Sequence, residues 1–218
     1  MLDRKQWDWR LMFITFEGPE GGGKTTQIRM LAGWLVEQGY EVVTTREPGG
    51  TPIGNQIRKI IMGMENKTLV PEAEILLFSA SRAQLVQEII RPALSSGSVV
   101  LCDRFYDSTL AYQGYGHGLP LGSLRNITEF ATGSLRPDLT ILLDIDAEAG
   151  LRRRRAALAE GAEWNRMDDH ALTFHRRVRA GYHMLAAAEP ERWRVMDAAR
   201  PREQVQEEIR RHVHRALI

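Results

Sequence analysis

Three groups of residues have the types and spacing to do chemistry on phosphates. The first is "GPEGGGKTT", residues 18–26, in which Gly18, Gly23, Lys24 and Thr25 satisfy the spacing G-x-x-x-x-G-K-(S/T) between an apolar run and a helical pattern. Glycines at 18, 21, 22 and 23 let backbone N–H groups converge on phosphate oxygens. The following helix, with Lys24, Thr25 and Thr26 in its first turn, adds the positive end of a dipole. Lys24 is placed to reach a transferred phosphate, and Thr25 to ligate Mg²⁺. The second group ends the apolar run of "VVLCDRFYDST" in Asp103, a carboxylate that orients Mg²⁺ through water, followed at once by Arg104. A strand-end arginine beside a phosphate site points to a second anion, clamped bidentately opposite the first. The third is the run Arg152, Arg153, Arg154 and Arg155, with Arg166 further on in "NRMDD". Phosphoryl transfer needs little covalent chemistry and much charge neutralisation, which an arginine on a closing segment supplies. Four consecutive arginines cover every side of a helix, so one or two at most can reach the nucleotide, Arg153 or Arg154 being favoured; Arg166 is expected there through its motif.

A scaffold has to hold these residues at one place. Short β-branched runs, "MFITFEG", "YEVVTTRE", "GSVVLCDR", "DLTILLDID" and "WRVMDA", alternate with longer helical patterns. That rhythm predicts an α/β fold with about five mainly parallel strands and helices on both faces. Continuous apolar strands imply burial on both sides of the sheet. No repeat or low-complexity linker divides the chain, so one domain over 1–218 is expected, with a polar N-terminal arm over 1–11 and a lid over roughly 150–168 where the arginines crowd.

Composition removes several functions. Lys plus Arg number 29 against 28 Asp plus Glu, a net charge of +1, which is not the polycation that grips nucleic acid. Cys102, the one cysteine, lies in an apolar run and predicts a buried, inert thiol in a reducing cytoplasm. Nothing approaches the length of a membrane span, and the first ten residues lack the apolar centre of a signal peptide, so a soluble, unexported protein is expected. The five histidines other than His117 have no zinc-like spacing, and His170 and His175 read as helix-surface residues.

Further polar groups cluster in sequence. Arg46 and Glu47 precede the Pro-Gly-Gly turn of "TREPGGTP", which would hold them at a strand's carboxyl end. Phe78 and Arg82, four apart, share a helix face, an aromatic plane with a guanidinium one turn along. Alone, such a phenylalanine reads as core. Ser108, Thr109, Tyr112 and Gln113 in "DSTLAYQG" are polar groups suited to finishing a pocket. Glu20 inside the phosphate loop must point away from a triphosphate. No N-K-x-D sequence is present, which argues against a GTPase.

From the phosphate loop nearly to its C-terminus the chain resembles the bacterial thymidylate kinases. The matching stretches are "FEGPEGGGKTTQ", "TREPGGTPIGNQIR", "EILLFSASRAQLV", "DRFYDSTLAYQGYG", "RPDLTILLDID", "NRMDDHALTFHRRVRAGYHMLA" and "VMDAARP". The resemblance implies a P-loop kinase with a five-stranded sheet and a lid, usually a homodimer, that transfers the γ-phosphate of ATP to dTMP with Mg²⁺. It implies that the Arg46–Glu47 loop borders the dTMP phosphate and sugar, that Arg58 reaches the same phosphate, and that Phe78 stacks on thymine. It further implies that Arg82 donates to thymine O4, that Tyr112 packs beneath the sugar, and that Glu20 faces the sugar 3′-OH. His117 stands where much of the family has Arg, and Asn165 where relatives often have Asp. Alternatives are a kinase for another nucleoside monophosphate and a non-catalytic nucleotide-binding module, which would not need Asp103, Arg104 and the lid arginines.

Overall fold

The five apolar runs become β1 (Phe13–Glu17), β2 (Val42–Arg46), β3 (Val99–Asp103), β4 (Leu139–Asp144) and β5 (Trp193–Asp197). All pair in parallel, in the order β2-β3-β1-β4-β5. The computed structural model describes residues 12–161 and 163–217, the side chain of residue 160 excepted, so the expected arm over 1–11 lies outside the described residues. Burial on both faces holds for the three central strands. The edge strands β2 and β5 are partly exposed, because an edge strand has one neighbour and its outer side meets water.

Alternate residues of the strands face two helical layers. Ile14, Phe16, Leu101 and Ile141 pack with Leu31 and Leu35 of α1 (Lys24–Glu37) and Ile209 and Val213 of α9 (Arg202–Leu217). On the other face Phe13, Val100 and Cys102 meet Leu85 at the end of α3 (Pro71–Leu85) and Phe105, and Leu142 meets Tyr182 of α8 (Leu172–Ala188). Between α1 and α3, α2 (Pro52–Met62) starts cleanly because Thr51 accepts a hydrogen bond from Gly54 N–H and proline fits the first turn. A widened turn, Val86–Ile90, leads from α3 into α4 (Arg91–Ser95). The short α5 (Tyr106–Thr109) runs into π-helical turns over Leu110–Gly116, whose extra residue per turn lets the consecutive Tyr112 and Gln113 both line one cleft. After α6 (Leu121–Thr132) and β4, Asp146 caps α7 (Ala147–Ala156), which carries the four arginines. None of the described helices is long and apolar enough to cross a membrane.

The phosphate loop and the start of α7 touch through two glycines. A Cβ at Gly21 would fall 2.1 Å from Gly150 O, and one at Gly150 would fall 2.2 Å from Glu20 O. Only the absence of both side chains lets the two backbones approach this closely.

Candidate active site

β1 and β3 are neighbours, with Phe16 opposite Asp103, so their carboxyl ends deliver the phosphate loop and Asp103 to the same place. Gly23 takes φ 84°, a left-handed conformation natural to glycine, and turns the loop into α1. The first amides of α1 have no partner within the helix and remain at its open end for an anion. Lys24 is more enclosed than a solvent-facing lysine. It is 8 % exposed, its Nζ donates to Gly18 O (3.1 Å) and Pro19 O (3.0 Å), and burial together with Arg104 lowers its pKa to about 8. Thr25 Oγ1 donates to Asp103 Oδ2 at 2.7 Å. This hydroxyl and carboxylate, both oxygen donors beside the phosphate cradle, fit a hard cation such as Mg²⁺.

Glu20 points away from the loop's anion cradle, as expected. Its Oε1 accepts from Arg104 Nη2 (2.8 Å) and from Tyr112 OH (2.8 Å). Burial opposes the charge, but Arg104, Lys24 and the Tyr112 hydroxyl hold the pKa down to about 2. Arg104 itself has φ 69°, a strained conformation for a residue with a side chain. Its Nη1 donates to Gly18 O, Ser108 Oγ and Tyr182 OH, and its guanidinium lies 5.0 Å from the Tyr112 ring centroid. Its terminal nitrogens are thus held in place by Glu20 and the hydroxyls, which fixes the guanidinium at the carboxyl end of β3.

Beneath it sits a residue that sequence reasoning missed. Glu17, fully buried at the end of β1, accepts from Phe105 N–H, Ser108 Oγ and Tyr182 OH. Burial, with Asp107 adding, raises its pKa to about 7. The signal was present in "FITFE", a carboxylate closing an otherwise apolar strand. Tyr182 has no comparable local signal.

Arg46 and Arg58 line the same cleft, Arg58 steadied by Pro48 O at 3.0 Å. Burial and then Arg46 lower the Arg58 pKa, the mark of cations gathered without enough anions. Phe78 is only half-buried and lines the cleft instead of joining the core. Arg82 is 1 % exposed. Its Nε donates to both oxygens of Glu47 and its Nη2 to Thr109 Oγ1, while Nη1 is buried with no protein partner among the described residues. Glu47, expected at a phosphate and sugar, thus spends its carboxylate holding Arg82. A buried guanidinium with one unmatched donor beside an aromatic face is built to receive an acceptor.

Of the lid arginines, Arg153 and Arg154 line the cleft. Arg153 Nη1 donates to Ala198 O (2.8 Å), and Arg154 grips Asp168 through Nε and Nη2. Arg152 faces solvent and pairs with Glu148, and Arg155 lies over Trp164. Arg166 is a correction. It is buried away from the phosphate loop, with Nε on Ile61 O (2.9 Å) and Nη2 on Glu74, because the main chain there is tied to Met62 O and turns the side chain inward. Asn165 Oδ1 accepts from Met167 N–H while Asn165 N–H donates to Asp168, which closes the lid's last turn. His170 and His175, expected on a helix surface, are half-buried and buried respectively. His170 stacks on Phe174 (centroids 4.1 Å), His117 packs on the same ring at 4.8 Å, and His175 is buried, since Phe174 offers an apolar plate to all three.

The phosphate loop, Arg46, Arg58, Phe78, Arg82, Arg104, Tyr112, Arg153 and Arg154 line one cleft of about 470 Å³. A second groove, bounded by Gly22, Thr26, Arg153 and the 198–202 loop, opens from the back of the phosphate loop. Fold and phosphate loop define a P-loop kinase. The family model for thymidylate kinase matches residues 16–209, and the chain belongs to the thymidylate kinase family. It is 54 % identical to a thymidylate kinase of Roseiflexus sp. (strain RS-1) over 206 residues, covering 91 % of each chain. It is 57 % identical to that of Thermomicrobium roseum over 197 residues, 90 % of this chain and 91 % of the relative. The crystal structure of thymidylate kinase from Ehrlichia chaffeensis superposes with a TM-score of 0.74 at 34 % identity, covering 93 % of this chain and 98 % of that one.

Proposed function

We propose that the protein phosphorylates dTMP to dTDP with ATP by direct in-line transfer. The observation that carries this reading is the single cleft in which the phosphate loop faces a half-buried phenylalanine and a buried guanidinium with one free donor, with Arg46 and Arg58 between. ATP lies with its phosphates on the loop and its nucleoside toward the groove beside Arg153 and Ala198; dTMP lies with its base on Phe78 and its phosphate among the arginines. Thr25 and Asp103 would hold Mg²⁺, which when bound neutralises charge on the phosphoryl oxygens. The Glu20–Tyr112–Arg104 group receives the deoxyribose, and Arg153 and Arg154 meet the charge that develops during transfer. Exposed apolar side chains on neighbouring α2, α3 and α6, namely Ile53, Leu76 and Phe130, support a homodimer, and the one cysteine, Cys102, buried and unpaired, supports a reducing cytoplasmic location. ADP release measured across a panel of nucleoside monophosphates tests the assignment; turnover independent of dTMP would refute it.

Two variants separate the roles of the arginines. Arg104→Ala strands Glu20 and the Tyr112 hydroxyl, so it should raise the dTMP KM about tenfold or more and change the ATP KM by no more than about twofold. A raised ATP KM alone would move Arg104 to the other nucleotide. Arg153→Ala with Arg154→Ala should lower kcat about 10²-fold or more with little change in either KM, as expected for charge stabilisation realised on closure. Wild-type kcat in that double variant would make the run a solvated helix face.

A further inference from the structure

Glu74, Phe78 and Arg82 recur every four residues on α3 and form one stripe along it. The segment opposite answers at two of these positions, also four residues apart. Arg82 Nη2 donates to Thr109 Oγ1 (3.1 Å), and Glu74 Oε1 accepts from Gln113 Nε2 (2.6 Å). Phe78 lies between these two rungs of the stripe. Glu74 is 1 % exposed, and its other oxygen accepts from Arg166. His117 Nε2 approaches Oε1 to 4.0 Å.

A carboxylate only accepts, so Gln113 must turn its NH₂ group toward Glu74; the flipped amide would set two acceptors against each other. Gln113 lines the cleft, and its carbonyl oxygen is then left without a protein partner among the described residues. We propose that Glu74 is a positioning residue for base selection: it locks the Gln113 amide so that a ring lying on Phe78 meets a donor from Arg82 at one rung and an acceptor from Gln113 at the other. Thymine and uracil, with O4 beside N3–H, match that order. Cytosine, with an amino group beside an unprotonated N3, opposes it at both atoms. The inference rests on the dTMP-kinase reading and assigns its base preference to a residue that does not touch the base.

The test measures kcat/KM for dTMP, dUMP and dCMP. In Glu74→Gln the neighbouring amide can accept as well as donate, so Gln113 is free to flip. The dCMP-to-dTMP ratio should rise about tenfold or more while dUMP-to-dTMP stays at the wild-type value, because both of those bases carry N3–H. Exchanging the pair, Glu74→Gln with Gln113→Glu, returns an acceptor to the cleft and should restore the ratio. Gln113→Leu leaves the Glu74–Arg166 pair in place and covers the case in which Glu74→Gln does not fold. It should cost dTMP and dUMP alike and spare dCMP. Equal losses for all three nucleotides, in Glu74→Gln or in Gln113→Leu, would reduce Glu74 to a structural role and overturn the inference. Failure of the unmodified protein to prefer dTMP would instead refute the underlying reading.

Discussion

Lys24→Ala is expected to lower kcat by about 10³-fold or more while leaving the melting temperature within about 3 °C of the wild type. The lysine's Nζ is held by the carbonyls of Gly18 and Pro19, inside the loop that cradles the phosphates and away from all three hydrophobic clusters. Its burial already works against its charge, as the lowered pKa shows, so the fold gains little from it. The transferred phosphoryl group gains a cation at the point where charge accumulates. Calorimetric melting beside steady-state kinetics checks this; a fall in stability large enough to explain the lost rate would contradict it.

The base should be selected still more sharply. A buried Arg82 with its Nη1 unmatched offers thymine O4 a donor, whereas the cytosine amino group would set donor against donor. Sites built around such a bond reject the mismatched partner by up to ~10⁴–10⁵, while dUMP, lacking only a methyl group, should fall behind dTMP by roughly 10–200-fold. The expected order of kcat/KM is dTMP, then dUMP, then dCMP by a wide margin. Removing Arg82 alone would strand the buried Glu47 carboxylate and cost about 3–5 kcal/mol of stability. The informative variant is therefore Arg82→Ala combined with Glu47→Gln, which should compress the dTMP-to-dCMP ratio far more than the dTMP-to-dUMP ratio. Equal phosphorylation of dCMP and dUMP by the unmodified protein would remove the base pocket as described.

What the sequence revealed follows from how local each signal is. The strands and the phosphate loop are written in consecutive residues, as in "FITFE" before "GPEGGGKTT", and they stand where they were expected. So do Phe78 and Arg82, whose i, i+4 spacing fixes a shared face. Direction was less legible than position. Arg104, Glu47 and Arg166 occupy motif positions, but their hydrogen bonds go to Glu20, Arg82 and Glu74, partners 84, 35 and 92 residues away in the chain. Spacing along one element cannot report such pairings. Tyr182 was invisible for the same reason: its hydroxyl meets Glu17 across 165 residues. His170 and His175 looked like surface residues because polarity was read without Phe174, the ring they pack against.

The Gly21–Gly150 contact registers the start of α7 against the phosphate loop through main chain alone. Arg153 and Arg154 ride on α7 only about one turn, roughly 5.4 Å, beyond it. Over so short a span little positional error can build up between the phosphate loop and the two guanidiniums that line the same cleft. Because no side chain stands between the two backbones, the spacing has no soft part to absorb a change, and a single added methyl at either glycine would force loop and helix apart and carry the two arginines with it.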